Sequence, residues 1–315
     1  MNQQEQPTAD QQYMRRCLQL AQNGLMGARP NPMVGCVIVA SDGRIIGEGY
    51  HVRCGEGHAE VNAFASVCAD DEPLLRESTV YVSLEPCAHY GKTPPCADLI
   101  VSKRVRRVVV GTIDPFAKVQ GRGIQKLRNA GIEVTVGVCA AECRELNRRF
   151  FTYHSKHRPY IILKWAQTQN GFIDDHFRPL ALSTPFTQML VHRLRAQEDA
   201  ILVGRTTYDR EQPHLTVRHW HGPDPKRVVL THDRLLPQLI DDLYLQGIQS
   251  LIVEGGARTH QSFIEAGLWD ELRVETAPIT VSDGTRACPL PANVRVASRE
   301  EYDGNTIVTY KPTEP

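Results

Sequence analysis

The sequence predicts two α/β domains in succession: an α/β/α sandwich built on a mixed sheet, then an open, doubly wound α/β sheet. Three observations carry this. β-rich runs and helically periodic runs alternate along both halves, a pattern that layers helices over a central sheet. The first half adds a hairpin turn signal, Asp42-Gly43, between two early strands. The length of 315 residues suits two ordinary domains. The polar, basic stretch 151–159, closed by Pro159, is expected to link domains at 1–150 and 160–315.

Taken in order, Gln11 to Gln22 carries apolar residues at Tyr13, Met14, Cys17, Leu18 and Ala21, a helical spacing that Gly24 ends. Arg29-Pro30-Asn31-Pro32 cannot be helical, because each proline restricts the residue before it. Val34 to Ala40 and Arg44 to Gly49 are strands. A loop through Cys54, Gly55 and Gly57 leads to a helix from Ala59 to Cys68. Thr79 to Leu84 is a strand, Ala97 to Val101 is helical, and Arg107 to Gly111 is a strand that Asp114-Pro115 breaks off. Helix Gly123 to Ala130, strand Ile132 to Val136 and helix Ala140 to Phe150 complete the half. The second half alternates strands Tyr160 to Trp165, Ala200 to Gly204, Arg227 to Thr231 and Ser250 to Glu254 with helices at Pro185 to Ala196, Leu235 to Gln246 and after Gly255-Gly256.

Composition narrows the function. Lys plus Arg and Asp plus Glu both number 36, so no net charge draws the chain to nucleic acid or an anionic membrane. No apolar run reaches the length of a membrane span. The N-terminus is polar and Gln-rich, without the apolar core of a secretory signal. Nine cysteines, an odd number, argue for a reducing cytoplasm over a disulfide framework. Core filling is expected for Cys17, Cys36, Cys68, Cys139, Cys143 and Cys288.

The remaining cysteines point to chemistry. His58-Ala59-Glu60 is followed by Pro86-Cys87 and, eight residues further, by Cys96. One imidazole and two thiols supply three zinc ligands and leave the fourth position open, as a catalytic site requires. Glu60 stands too close to His58 to share the ion comfortably, yet is placed to move a proton from water to a leaving amine. The order H-x-E…P-C…C is that of zinc deaminases, with a longer cysteine spacing here. A purely structural ion would need a fourth ligand, which Cys54 or His51 could supply.

His58-Ala59-Glu60 and the run Glu85 to Cys96, with Pro30-Asn31-Pro32-Met33-Val34-Gly35-Cys36 and Gly49-Tyr50-His51, resemble the deaminase domain of the bifunctional riboflavin-biosynthesis deaminase/reductases. Asp114-Pro115, Gly121-Arg122-Gly123 and Ala130-Gly131-Ile132 match further on. In the second half Lys164-Trp165-Ala166, Leu194-Arg195-Ala196, Ala200 to Gly204, Leu215-Thr216-Val217-Arg218 and Val253 to Gly256 resemble the family's reductase domain. The resemblance implies a cytidine-deaminase-like domain followed by a dihydrofolate-reductase-like one. It implies Zn2+ and NADPH as cofactors and phosphoribosylaminopyrimidines as substrates, in a cytoplasmic homo-oligomer. By the same resemblance Glu60 is catalytic and His58, Cys87 and Cys96 hold the metal. Asn31, His51, His89 and Lys92 then contact the deaminase substrate. Arg195, Leu215, Arg218 and Glu254 contact the reductase substrate, and Lys164, Gln167, Thr207, Glu211, Gly256 and Ser262 the cofactor.

The chain departs from the family in three places. Gln169-Asn170-Gly171 stands where Leu-Asp-Gly is usual, and Glu211-Gln212-Pro213 where Asp-Asp-Pro is usual. The segment from Leu230 to Leu251 is shorter than the family's by about a strand. A second reading therefore keeps the deaminase and makes the C-terminal half structural. A nucleic-acid-editing deaminase is a third, disfavoured by the balanced charge.

Overall fold

Two sheets organise the chain in the computed structural model, which describes residues 6–90, 94–116, 120–231 and 233–313. The chain divides into compact units at Met1–Lys156 and His157–Pro315. In the first, helix α1 (Ala9–Gln22) precedes strands β1 (Gly35–Val39) and β2 (Ile45–Tyr50). Helix α2 (Ala59–Ala65) leads through a 3-10 segment, Ala69–Glu77, to β3 (Thr79–Val82). Then come α3 (Cys96–Lys103), β4 (Arg107–Val110), α4 (Arg122–Asn129), β5 (Glu133–Val136), α5 (Ala140–Leu146) and α6 (Arg148–Lys156). The strand order is β2-β1-β3-β4-β5, with β1 antiparallel to both neighbours and β3, β4 and β5 parallel.

Alternate residues of these strands feed separate cores. Cys36, Ile38, Val80 and Val108 pack against Ala63 of α2, Ile100 of α3 and Leu127 of α4. Val37, Val39, Tyr81 and Val109 meet Met14 and Cys17 of α1 and Cys143 of α5. With both faces covered, the central strands β1, β3 and β4 are apolar on both sides along most of their length, which is why they read as nearly unbroken runs. This is the expected sandwich.

The second unit holds β6 (Tyr160–Thr168), α7 (Pro185–Gln197), β7 (Ala200–Gly204), α8 (Arg205–Glu211) and β8 (Lys226–Leu230). After them come α9 (Leu236–Leu245), β9 (Ser250–Val253), α10 (Ala257–Glu265), β10 (Glu271–Ala277), β11 (Val294–Tyr302) and β12 (Asn305–Pro312). The order is β11-β12-β10-β6-β9-β7-β8. From β8 to β10 neighbours run parallel, and β12 and β11 close the sheet antiparallel. One face packs Ile161, Leu163 and Leu251 on α9 and α10, and the other packs Ile201, Val203 and Ile252 on Leu215 and on Leu194 of α7.

Several expectations change. The helix predicted to Cys68 stops at Ala65, and Cys68 is exposed, not core. The single helix over Ala140 to Phe150 is two, because Asn147 leaves helical geometry at φ −105° and gives its side chain to Met33. The stretch 151–159 is no free linker. Its first part completes α6, His157 sets its ring edge-on to Tyr244, and Arg158 pairs with Asp270. Helix α8 and strands β10, β11 and β12 lie beyond what the pattern predicted. Between β8 and β9 stands α9 alone, in keeping with the short segment.

Asp270 accepts from both terminal nitrogens of Arg158, at 2.5 and 2.8 Å, and from the Ile161 amide at 2.9 Å. Both side chains are largely buried. Removing the carboxylate strands a guanidinium, so Asp270→Ala is expected to destabilise the second unit by about 3 kcal/mol. Calorimetric melting of the full chain against wild type checks it; a shift in the first unit's transition instead would contradict the assignment.

Candidate active sites

In the first unit three elements meet at one corner. His58 is the N-cap of α2, Cys96 the first residue of α3, and Cys87 lies in the segment after β3. Their ligand atoms all lie within 4.8 Å of one another, and among the described residues this is the one such grouping of His, Cys, Asp and Glu. His58 Nδ1 is 3.6 Å from Cys87 Sγ and 3.4 Å from Cys96 Sγ. The Cys96 amide, at the start of α3, donates to Cys87 Sγ at 3.3 Å. A hydrogen bond from the Cys96 thiol holds Cys87 well below the usual thiol range, against the pull of burial and with help from His58. The same bond and burial push Cys96 far up. One thiolate is thus already favoured, as a soft cation needs. Glu60, 3% exposed on α2, contacts Cys96. Burial, then the charge of Cys87, raises its carboxyl to about 7.

His51 is not a fourth ligand. Its Nε2 lies 3.1 Å from Asn31 Nδ2 and its Nδ1 3.2 Å from the Gly57 carbonyl. A carbonyl only accepts, so Nδ1 carries the proton and Nε2 accepts from Asn31. Burial keeps the ring below its ordinary value, and the ring stands edge-on to His58 at 5.1 Å. Cys54 is exposed and outside the cluster. Three protein donors remain, the catalytic pattern. Asn31 and His51 thus lie bonded to each other beside the metal-ligand cluster. His89 is exposed, in edge contact with Phe116 at 6.3 Å. Lys92 falls outside the described residues.

In the second unit the carboxyl ends of parallel strands β6, β7, β9 and β10 gather along one edge, the side where such sheets take ligands. Glu254, just past β9, accepts from Arg195 Nε at 2.9 Å and Nη2 at 2.8 Å. Burial pushes its carboxyl up, but Lys164 and then Arg195 outweigh it and hold the group below the usual range. Arg195 also donates to the Thr216 carbonyl at 3.2 Å, and Arg218 reaches Thr216 Oγ1 at 3.2 Å. Arg195, Arg218, Glu254 and Lys164 thus form one charged group. Leu215, at φ 55°, buries its side chain in the core and has only backbone to offer.

Thr207 and Gly256 are neighbours, since a Cβ on Gly256 would come within 3.3 Å of Thr207 Oγ1. A Cβ on Gly255 would strike Thr259 at 2.7 Å, so this glycine is needed for packing. Gly204 and Gly256 cap α8 and α10 without side-chain cap bonds, so the helix starts present backbone N–H groups suited to phosphate. Gln167 accepts from Trp165 Nε1 at 2.9 Å and Ser262 donates to the Thr259 carbonyl at 2.8 Å, both internal contacts. Glu211 is exposed at the end of α8. Asn170 ties the turn after β6 to Val281 through both ends of its amide, a role aspartate could not fill.

Residues 7–112 match the cytidine and deoxycytidylate deaminase zinc-binding region, and residues 159–241 and 235–308 match the RibD C-terminal domain. The riboflavin biosynthesis protein RibD of Aquifex aeolicus (strain VF5) is 38% identical over 320 residues, which cover 87% of this chain and 88% of the relative. The chain belongs to the RibD family. RibD of Escherichia coli (strain K12) is 34% identical over 93% of this chain and 94% of its own length. RibD from Acinetobacter baumannii (form 2) superposes with a TM-score of 0.86 at 32% identity, covering 97% of this chain and 99% of that one. A Thermotoga maritima diaminohydroxyphosphoribosylaminopyrimidine deaminase/5-amino-6-(5-phosphoribosylamino)uracil reductase gives 0.87 at 33% identity, covering 96% and 99%. As in the RibD family, a zinc-binding deaminase domain precedes an NADPH-dependent reductase domain of riboflavin biosynthesis. The second stretch of the RibD C-terminal match begins at residue 235, the N-cap of α9, and overlaps the first through 241.

Two positioning groups went unread in the sequence. Glu85, buried beside Pro86-Cys87, accepts from the Gly121, Gly123 and Ile124 amides at 2.9, 3.0 and 3.3 Å and from the Asp114 amide at 3.3 Å. It satisfies the orphan first turn of α4 and pins the metal segment to it. A Cβ on Gly123 would lie 1.9 Å from the Pro86 carbonyl, which explains Gly121-Arg122-Gly123. Asn147 bonds the Met33 amide and carbonyl, both at 2.8 Å, fixing the turn that carries Asn31. Glu85→Gln would point a carboxamide N–H at backbone donors. A loss of about 2 kcal/mol in stability is expected. Zinc should also dissociate faster into a chelator; unchanged melting and zinc release would contradict the pinning role.

Proposed function

We propose that the first unit deaminates 2,5-diamino-6-(5-phosphoribosylamino)pyrimidin-4(3H)-one and the second reduces the ribose of 5-amino-6-(5-phosphoribosylamino)uracil to the ribityl chain. The observation that carries the first half is the convergence of His58, Cys87 and Cys96 on one point with buried Glu60 against them. His58, Cys87 and Cys96 would hold zinc, which would supply a water made nucleophilic near neutral pH. Glu60 takes the proton of the attacking water and delivers it to the amine, which leaves as ammonia. Asn31 and neutral His51 orient the pyrimidine, and His89 and Lys92 belong to the segment that selects it.

The second half rests on the charged group around Glu254. Arg195 commits three of its five N–H donors to Glu254 and Thr216, leaving two for the 5′-phosphate beside Arg218. Lys164, Gln167, Thr207, Glu211, Gly256 and Ser262 are the proposed NADPH contacts, with the capping turns of α8 and α10 facing its phosphates. Small molecules are the partners in this reading and nucleic acid is not; a cytoplasmic homo-oligomer is part of it.

Ammonia release from the diaminopyrimidine phosphate and NADPH oxidation with the deaminated product test the halves separately. Glu60→Gln should lower ammonia release by about 100-fold or more while zinc content and NADPH oxidation stay at wild-type level. Unchanged deamination in that variant sinks the proton-transfer role. Intact deamination with no NADPH binding in a fluorescence titration would select a structural C-terminal half.

A further inference from the structure

Helix α7 turns two side chains, three residues apart, to the backbone of the loop that carries Arg218. Arg195 donates to the Thr216 carbonyl, and the Arg218 amide donates to His192 Nδ1 at 3.0 Å. His192 is 4% exposed, so a buried acceptor holds the amide of the otherwise exposed Arg218. An amide can bond only to an unprotonated ring nitrogen, which places the imidazole proton on Nε2. His219 sets its ring edge-on to His192 at 4.8 Å. Nothing in the proposed chemistry uses His192 directly.

We infer that His192 is a positioning residue of the reductase site, its neutral imidazole fixing the loop backbone so that Arg218 stays beside Arg195 to receive the substrate's phosphate. The inference rests on the reading of Arg218 as a phosphate contact. Charged and titratable groups face His192 from each neighbouring element: Arg195 on α7, Arg218 and His219 on the loop, and Glu254 past β9. Burial, then the positive charge of Arg195, His219 and Arg218, keeps the ring below 6.5 against a backbone hydrogen bond to Thr216 that raises it. The contact is therefore intact at neutral pH and lost as pH falls through this depressed value, when Nδ1 takes up a proton and can no longer accept from the Arg218 amide.

The test uses the full chain with zinc and NADPH. KM and kcat are measured for 5-amino-6-(5-phosphoribosylamino)uracil and for its dephosphorylated form, from about pH 5 to about pH 8. Wild type is compared with His192→Asn, whose Oδ1 replaces Nδ1 without titrating, and with His192→Leu, which has no acceptor. His192→Leu should raise KM for the phosphorylated substrate about tenfold at every pH. Its kcat and its KM for the dephosphorylated form should not move. Wild-type KM should rise at acid pH while that of His192→Asn stays flat. Equal losses on both substrates, or a fall in kcat at constant KM, would overturn the inference. Should His192→Leu fail to fold, the pH profiles of wild type and His192→Asn decide alone, and parallel profiles count against it. Absence of NADPH oxidation in wild type would instead sink the reductase reading. Hydrogen exchange at the Arg218 amide then judges His192, and equally fast exchange in wild type and His192→Leu overturns its role.

Discussion

Crowding two thiols, an imidazole and a carboxylate into a dry corner is unfavourable unless the surrounding backbone cannot relax away. The first unit meets this constraint mainly through Glu85. Its carboxylate takes four backbone amides from two separate stretches, so the segment leading to Cys87, the Asp114 turn and the start of α4 become one rigid piece. The Cys96 amide then fixes the Cys87 sulfur from the other side. Glu60 and His58 ride on α2, whose Ala63 is buried in the sheet's core. The metal donors therefore need no reorganisation to converge, which is what strong and selective zinc binding asks of a protein.

The second unit solves a similar problem with charge in place of metal. Glu254 sits where it would be expensive to bury alone, and Lys164 and Arg195 keep it ionised. Arg195 in turn reaches the Thr216 carbonyl, so one guanidinium joins the end of β9 to the loop bearing Arg218. Paired in this way, the group adds little stability but fixes geometry. Both sites thus use buried charge to set positions, one around a cation and one around an anion.

Much of this was legible in the sequence, for physical reasons. Strands buried on both faces leave unbroken apolar runs, so the sandwich and the parallel strands β6, β7 and β9 could be read. The metal ligands could be read because zinc tolerates few residue types at few spacings. What escaped was structure without a local signature. Helix α8 buries no residue, so it has no apolar stripe. Strand β11 is exposed along nearly its whole length and exists through its pairing with β12. Cys68 looked like core only because the helix was carried past Ala65. Asn147 and Glu85 act through partners far away in sequence, 114 residues in the case of Met33 and Asn147, and no spacing rule reaches that far.

The short segment between β8 and β9 bears on the second site only if it touches the residues that form it. Side chains alternate along a strand, so each sheet face collects its own set. Ile161, Leu163 and Val253 pack with α9 through Leu239, Ile240 and Leu243. Lys164 and Glu254 have the opposite parity and fall on the face of Ile252, with α7 and Leu215. What α9 represents in shortened form therefore lies across the sheet from the charged group, next to the edge strand β8. Strands β6, β9 and β10, which carry or flank that group, keep their full parallel pairing. The departure from the family falls where it alters the rim of the sheet and leaves the Arg195–Glu254 pair and its neighbours in place.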